Sequence, residues 1–136
     1  MVALRNQRER PVSAPSLRVL VIEDDTIIGL LLAEMLEELG HCACAIATTQ
    51  TEAVAAALDH RPDLMLVDVG LGGGSGVAAV RKILRNGHIP HVFMSGAYVR
   101  ADSADAGVLH KPFGEADLVD AMRRAIATGP VRVPAT

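Results

Sequence analysis

Hydrophobic residues along this chain recur in two rhythms, short continuous runs and runs spaced by three and four. Leu17 to Ile22 is a short run of Leu and β-branched residues that ends in three acids, which predicts a buried strand. Ile28, Leu31, Leu32, Met35, Leu36 and Leu39 follow three-four spacing, which predicts a helix that Asp25 or Thr26 can cap and Gly40 stops. His41 to Ala47 reads as a weaker strand. An Ala-rich helix begins at Thr49 or Thr51 and ends before Pro62, and Leu64 to Val67 is an apolar strand that runs into Asp68. A glycine loop spans Gly70 to Gly76, and Ser75 precedes a third helix with Val77, Val80 and Leu84 on one face. Pro90 opens a strand over His91 to Met94 that ends at Ser95. A short polar, Ala-rich helix is expected from about Tyr98 to Ala104, and a strand over Val108 to His110 leads into Lys111-Pro112. The last helix, about Glu115 to Ala127, places Leu118, Met122, Ala125 and Ile126 on one side.

Five strands alternating with five helices predict one doubly wound (βα)5 domain of the flavodoxin-like α/β class, a five-stranded parallel sheet in the order 2-1-3-4-5. Residues 1–16 and 128–136 contain prolines and lack periodicity, so they are expected to be flexible tails around a domain at 17–127.

Composition narrows the function. Half of the 136 residues are hydrophobic and the net charge is −3, which favours a folded domain over disorder. With two Phe, one Tyr and no Trp, stacking platforms for single-stranded nucleic acid are not expected, and no basic helix points to a duplex. The longest apolar stretch, Ile27 to Leu32, is too short to cross a bilayer, and no signal-peptide pattern follows Arg5, Arg8 and Arg10. These features predict a cytoplasmic protein. Cys42 and Cys44 lie at i, i+2 on one strand, without C-x-x-C spacing or further ligands beyond His41. They read as small buried apolar residues.

The polar residues able to do chemistry fall at strand ends: Glu23, Asp24 and Asp25 after the first strand, Asp68 after the third, Ser95 after the fourth and Lys111 after the fifth. Ligands of open α/β sheets bind beyond the carboxyl ends of the strands. In the 2-1-3-4-5 order the first and third strands are neighbours, so Glu23 and Asp24 would face Asp68. Carboxylates held close repel one another, and a hard cation such as Mg²⁺ relieves that conflict. Lys111 could reach a phosphoryl oxygen, and Ser95 supplies a hydroxyl. Such a group suits phosphoryl transfer onto a carboxylate, with Asp68 as the nucleophile. Each element alone has a plainer reading, as a helix cap, a solvated acid run or a turn. Their occurrence at successive strand ends of one chain carries the argument.

These residues resemble the receiver domain of two-component response regulators. The matching segments are Val21-Ile22-Glu23-Asp24-Asp25, Leu66-Val67-Asp68-Val69, Gly76 eight residues after Asp68, Ser95-Gly96 and Lys111-Pro112-Phe113, over about residues 17–127. The resemblance implies that Asp68 accepts a phosphoryl group from a histidine kinase or histidine phosphotransfer protein. It implies Asp24 as a direct Mg²⁺ ligand, Glu23 acting through a metal-bound water, and the Gly70 backbone carbonyl completing the site. It further implies Ser95 as the switch hydroxyl, Lys111 as the phosphoryl contact, and a cis Lys111–Pro112 bond.

Two positions depart from the common family pattern. Val108 stands where an aromatic usually reports the switch, and Gly72 stands where many receivers have Pro, which predicts an unusually mobile Gly72-Gly73-Gly74. Phe93-Met94-Ser95-Gly96-Ala97-Tyr98 resembles the Phe-Ala-Thr-Gly-x-Tyr segment of a subgroup of stand-alone alphaproteobacterial receivers associated with HWE-class kinases, which implies Tyr98 as a substitute reporter. About nine residues follow the last helix, too few for a DNA-binding domain, so output through protein contact or phosphate relay is expected. The family's usual contact surface is the fourth helix, fifth strand and fifth helix. A monomer or weak homodimer is expected, acting as a switch rather than an enzyme on other substrates. The competing readings are a pseudo-receiver that binds partners without phosphorylation, an Asp-nucleophile phosphatase of the haloacid dehalogenase type, and a flavin or nucleotide binder. The phosphatase lacks its second acid, because Gly70 occupies that position, and the nucleotide binder lacks a phosphate loop at the first turn.

Overall fold

All five predicted strands form in the computed structural model, which describes residues 16–96 and 108–128. Tyr98, the helix expected near it and nearly all of both predicted tails lie outside the described residues. In chain order the elements are β1 (Arg18–Ile22), α1 (Thr26–Glu38), β2 (Cys42–Ala47), α2 (Gln50–His60), β3 (Leu64–Asp68), α3 (Gly76–Leu84), β4 (His91–Ser95), β5 (Val108–His110) and α4 (Glu115–Thr128). The sheet order is β2-β1-β3-β4-β5 and every pairing is parallel, as the sequence predicts.

Alternation along the central strands divides the core in two. Val19, Val21, Leu64 and Leu66 meet Leu32 and Leu36 of α1 and Leu118 and Met122 of α4. Leu20, Ile22, Met65 and Val67 face the other way, onto Ala53 and Ala57 of α2 and Ala79, Val80 and Ile83 of α3. Successive strand side chains point to opposite faces, so a strand covered on both must be apolar throughout. β3 is buried along its whole length and apolar from Leu64 to Val67, with only the terminal Asp68 charged, whereas the edge strand β2 is mostly half-buried. Gly29 lies inside α1 because a Cβ there would sit 3.0 Å from the Ile46 side chain, so the glycine lets the helix lie close to β2.

Side chains define where the helices start. Asp25 Oδ1 accepts from the N–H groups of Ile27 and Ile28, Thr49 Oγ1 from that of Glu52, and Ser75 Oγ from that of Ala78. α1 stops at Gly40, whose φ of 94° suits glycine, and α2 stops at Arg61, which adopts φ 47° before Pro62.

The two cysteines depart from expectation. A register shift pairs Val19 with Ala43 but Leu20 with Ala45, which inserts Cys44 as an extra residue and breaks simple alternation. Cys42 is exposed at the start of the edge strand rather than buried, and Cys44 is half-buried with its Sγ 3.5 Å from the Val19 carbonyl oxygen. The helix expected to bury Leu31 instead leaves it exposed, together with Ile27 and Leu30.

Candidate functional site

Parallel strands bring their carboxyl ends to one edge of the sheet, and register decides which residues meet there. Ile22 pairs with Val67, so Glu23 and Asp68 follow side by side on β1 and β3. The Glu23 N–H donates to the Ala47 carbonyl at 2.9 Å, and the Val69 N–H donates to the Met94 carbonyl at 2.9 Å, which ties both acids to neighbouring strands. The Lys111 N–H donates to the Ser95 carbonyl at 2.9 Å, so the end of β4 carries the lysine into the same corner.

There Glu23, Asp24 and Asp68 each offer a carboxylate oxygen, all within 4.8 Å of one another. Glu23 is 1% exposed, and Asp68 and Ser95 are also buried, while Asp24 is open to solvent. Lys111 Nζ donates to Glu23 Oε1 at 2.8 Å and lies 3.4 Å from Asp68 Oδ2. Backbone groups hold the remaining oxygens: the Asp25 N–H donates to Glu23 Oε2 at 3.1 Å, the Gly70 N–H to Asp68 Oδ1 at 3.1 Å, and the Gly72 N–H to Asp24 Oδ2 at 2.8 Å.

Burial raises the Glu23 carboxyl above its ordinary value. The Lys111 ammonium and the Asp25 N–H pull it back, and Asp68 pushes it further up. Burial alone would lower the Lys111 ammonium, but Glu23 and then Asp68 outweigh it and hold the group above its ordinary value. Three carboxylates around a single lysine leave excess negative charge. Hard oxygen donors in that number and closeness fit Mg²⁺.

Glu23, Asp24, Asp68 and Lys111 therefore converge, with the Gly70 N–H and the Ser95 backbone beside them. Val108 does not join them. It opens β5, half-buried and paired with Phe93. Tyr98 lies outside the described residues. The Lys111–Pro112 bond is cis.

Gly76 has a steric reason for its place. A Cβ there would fall 2.0 Å from the Asp68 carbonyl oxygen, so only glycine lets α3 start directly behind the acid. The neighbouring glycines have steric reasons of their own. A Cβ on Gly72 would sit 2.9 Å from Asp24 Oδ2, one on Gly74 would sit 2.9 Å from Gln50 Oε1, and Gly73 adopts φ 73°. Close approach and a left-handed turn give each of these glycines a steric reason for its place. Sequence reading also missed the exposed Ile27, Leu30 and Leu31. The signal was present, because α1 is apolar on more positions than one buried stripe needs.

A doubly wound parallel sheet with an acid cluster and a lysine at its carboxyl edge defines a receiver-type domain. The family profile of the response regulator receiver domain matches residues 19–123, and the chain belongs to that family. Receiver domains are the signalling switches of two-component systems. The chain is 33% identical over 114 residues to the phyllosphere-induced regulator PhyR of Methylorubrum extorquens, a match covering 79% of this chain and 43% of that protein. It is 36% identical over 117 residues to the transcriptional regulatory protein PdtaR of Mycobacterium tuberculosis, covering 81% and 57%. The solution structure of the PhyR receiver domain from Erythrobacter litoralis superposes with a TM-score of 0.74 at 29% identity, covering 89% of this chain and 97% of that one. The chain thus spans about half the length of the curated relatives it matches. Among the described residues, no helix is long and apolar enough to cross a membrane.

Proposed function

We propose that Asp68 accepts a phosphoryl group from a histidine kinase or histidine phosphotransfer protein in a Mg²⁺-dependent reaction, and that phosphorylation switches the chain's contacts with a downstream protein or passes phosphate onward. The observation that carries this reading is Lys111 Nζ lying between Glu23 Oε1 at 2.8 Å and Asp68 Oδ2 at 3.4 Å, beside three clustered carboxylates. A pseudo-receiver would have no use for that arrangement, whose charge conflict is costly unless a cation and a phosphoryl group complete it.

Asp24, Asp68, the Gly70 carbonyl and, through water, Glu23 would hold Mg²⁺, which when bound neutralises the acids and the phosphoryl oxygens. An Asp68 oxygen attacks phosphorus in line. The new P–O bond forms as the donor's P–N bond breaks, and the bonding pair stays on the imidazole nitrogen. Lys111 shifts from Asp68 Oδ2 to a phosphoryl oxygen, and the Ser95 hydroxyl donates to another. At Gly70 a Cβ would meet nothing within 4 Å, so access of water and partners governs how long the phosphate survives.

The donor's route is marked by α1. Ile27 is 70% exposed, Leu30 and Leu31 are more than half exposed, and Leu31 and Leu32 line a cavity of about 470 Å³ with Lys111 and Phe113. A protein that delivers a phosphohistidine to Asp68 covers this surface. The sequence resemblance of Phe93 to Tyr98 supports a kinase of the HWE class as donor, and a cytoplasmic monomer or weak homodimer is consistent with this reading.

Intact mass after incubation with Mg²⁺ and acetyl phosphate tests the reading. One phosphoryl adduct is expected, lost in Asp68→Asn and in EDTA. No adduct, or one that survives Asp68→Asn, overturns it.

A further inference from the structure

Each of the three clustered acids accepts one backbone N–H from the loop that follows a strand: Glu23 from Asp25, Asp68 from Gly70, and Asp24 from Gly72. Glu23 and Asp68 spend their second oxygen on Lys111. Asp24 differs, because among the described residues the Gly72 N–H is the one hydrogen-bond partner of its side chain, at 2.8 Å and across 48 positions of sequence. We infer that Gly72 is a positioning residue for Asp24: its N–H fixes one carboxylate oxygen, and its missing side chain lets the loop approach closely enough to do so, which leaves the other oxygen for the metal. The inference rests on the metal site proposed above.

The loop is built for this approach. Gly72 does not share the left-handed conformation of Gly73, so no positive φ calls for a glycine there. What a side chain would disturb is Asp24 itself, since a Cβ would sit 2.9 Å from Oδ2 and displace the carboxylate. Two residues further on, Gln50 Oε1 accepts from the Ser75 N–H at 3.4 Å and lies 2.9 Å from where a Gly74 Cβ would be. The loop is thus fastened to the end of β1 and to the start of α2, with the turn at Gly73 between. A proline at this position could not donate at all. Hydrogen bonds that orient a metal-ligating carboxylate are worth about 10–100-fold in metal affinity when removed.

Gly72→Ala keeps the N–H and pushes the Asp24 carboxylate aside, at the far end of one side chain rather than in the backbone. Mg²⁺ titration of the full chain, followed by amide chemical shifts, is expected to show affinity lowered by about ten-fold or more. The melting temperature in EDTA is expected to match wild type, and the acetyl phosphate reaction is expected to recover its wild-type rate at saturating Mg²⁺. Gly114→Ala, where a Cβ meets nothing within 4 Å, is expected to bind as wild type does. Unchanged or tighter binding by Gly72→Ala, with a wild type that binds, overturns the inference alone. A wild type whose amides ignore Mg²⁺ overturns the metal reading and this inference with it. Amide exchange supplies a measurement that does not need the Gly72 variant to fold: the Gly72 N–H is expected to be protected in wild type and released in Asp24→Ala, and an amide equally protected in both overturns the assignment.

Discussion

The two ends of the sheet treat charge in opposite ways. At the amino end, Arg18 and Asp63 are both exposed and fasten one strand to the next: the Arg18 N–H donates to Asp63 Oδ2 at 2.8 Å, the Asp63 N–H donates to the Arg18 carbonyl at 2.8 Å, and the Arg18 guanidinium donates to the His60 carbonyl. These groups keep water around them and form part of the scaffold. At the carboxyl end, Glu23 is buried against Asp68 and Asp24, and burial raises its carboxyl despite Lys111. Folding alone gains little from such a cluster. Its cost is evidence for a cation and an anionic group that complete it.

Substitutions matched across the two ends should break or sharpen this contrast. The largest effect is expected at the glycines. Gly76→Ala drives a Cβ into the backbone of Asp68 and should lower stability by about 3 kcal/mol in urea unfolding, as severe overpacking does. At the other end, Gly87→Ala meets open space and bears only the strain of its φ of 125°, so a smaller loss of about 1–2 kcal/mol is expected. Equal losses would show that approach to Asp68 is not what Gly76 provides.

Exposed leucines come next. Leu31→Glu, beside Lys111, should slow transfer from a phosphohistidine protein by about ten-fold, or about 1.4 kcal/mol, and leave the acetyl phosphate reaction unchanged. Leu58→Glu, which borders a cavity of about 390 Å³ between α2 and α3 at the amino end, should alter neither rate.

The acids should give effects of opposite sign. In EDTA, Glu23→Gln is expected to stabilise the protein by about 1 kcal/mol, because burial and Asp68 disfavour the Glu23 charge more than Lys111 favours it, and Lys111 keeps Asp68 as its partner. Asp63→Asn is expected to destabilise by about 0.5 kcal/mol through a weakened hydrogen bond from Arg18. Paired urea titrations measure both, and a Glu23→Gln that destabilises would place the cluster with the scaffold instead.

The smallest effect concerns an acid in neither end's network. The Thr48 N–H, and then its hydroxyl, hold the Glu52 carboxyl below its ordinary value of 4.5. Its contribution to stability is present above pH 4.5 and lost as the pH falls through the lower folded value. Melting temperatures across that range should show a drop in wild type that Glu52→Gln lessens.

Much of this was legible in the chain. Runs of Val, Ile and Leu located β1 and β3 and weaker apolar runs the other strands, Asp25, Thr49 and Ser75 capped three of the helices as small polar residues do, and acids, serine and lysine stood at strand ends where a parallel sheet collects them. The cysteines were misread because a bulge in an edge strand leaves little trace in composition. Leu31 was misassigned because three-four spacing identifies a helix without saying which of two apolar stripes is covered.

Local pattern by itself determined the elements, their order and the identity of the reactive groups, since period, capping and β-branching act within a few residues. Tertiary structure decided what spans the chain. It set the pairing of Ile22 with Val67 that puts Glu23 beside Asp68, the reach of Lys111 across 88 positions to Glu23, and the approach of Gly72 to Asp24. Those depend on distances between elements. A glycine's reason for being where it is can be read only once the atom its side chain would strike is known.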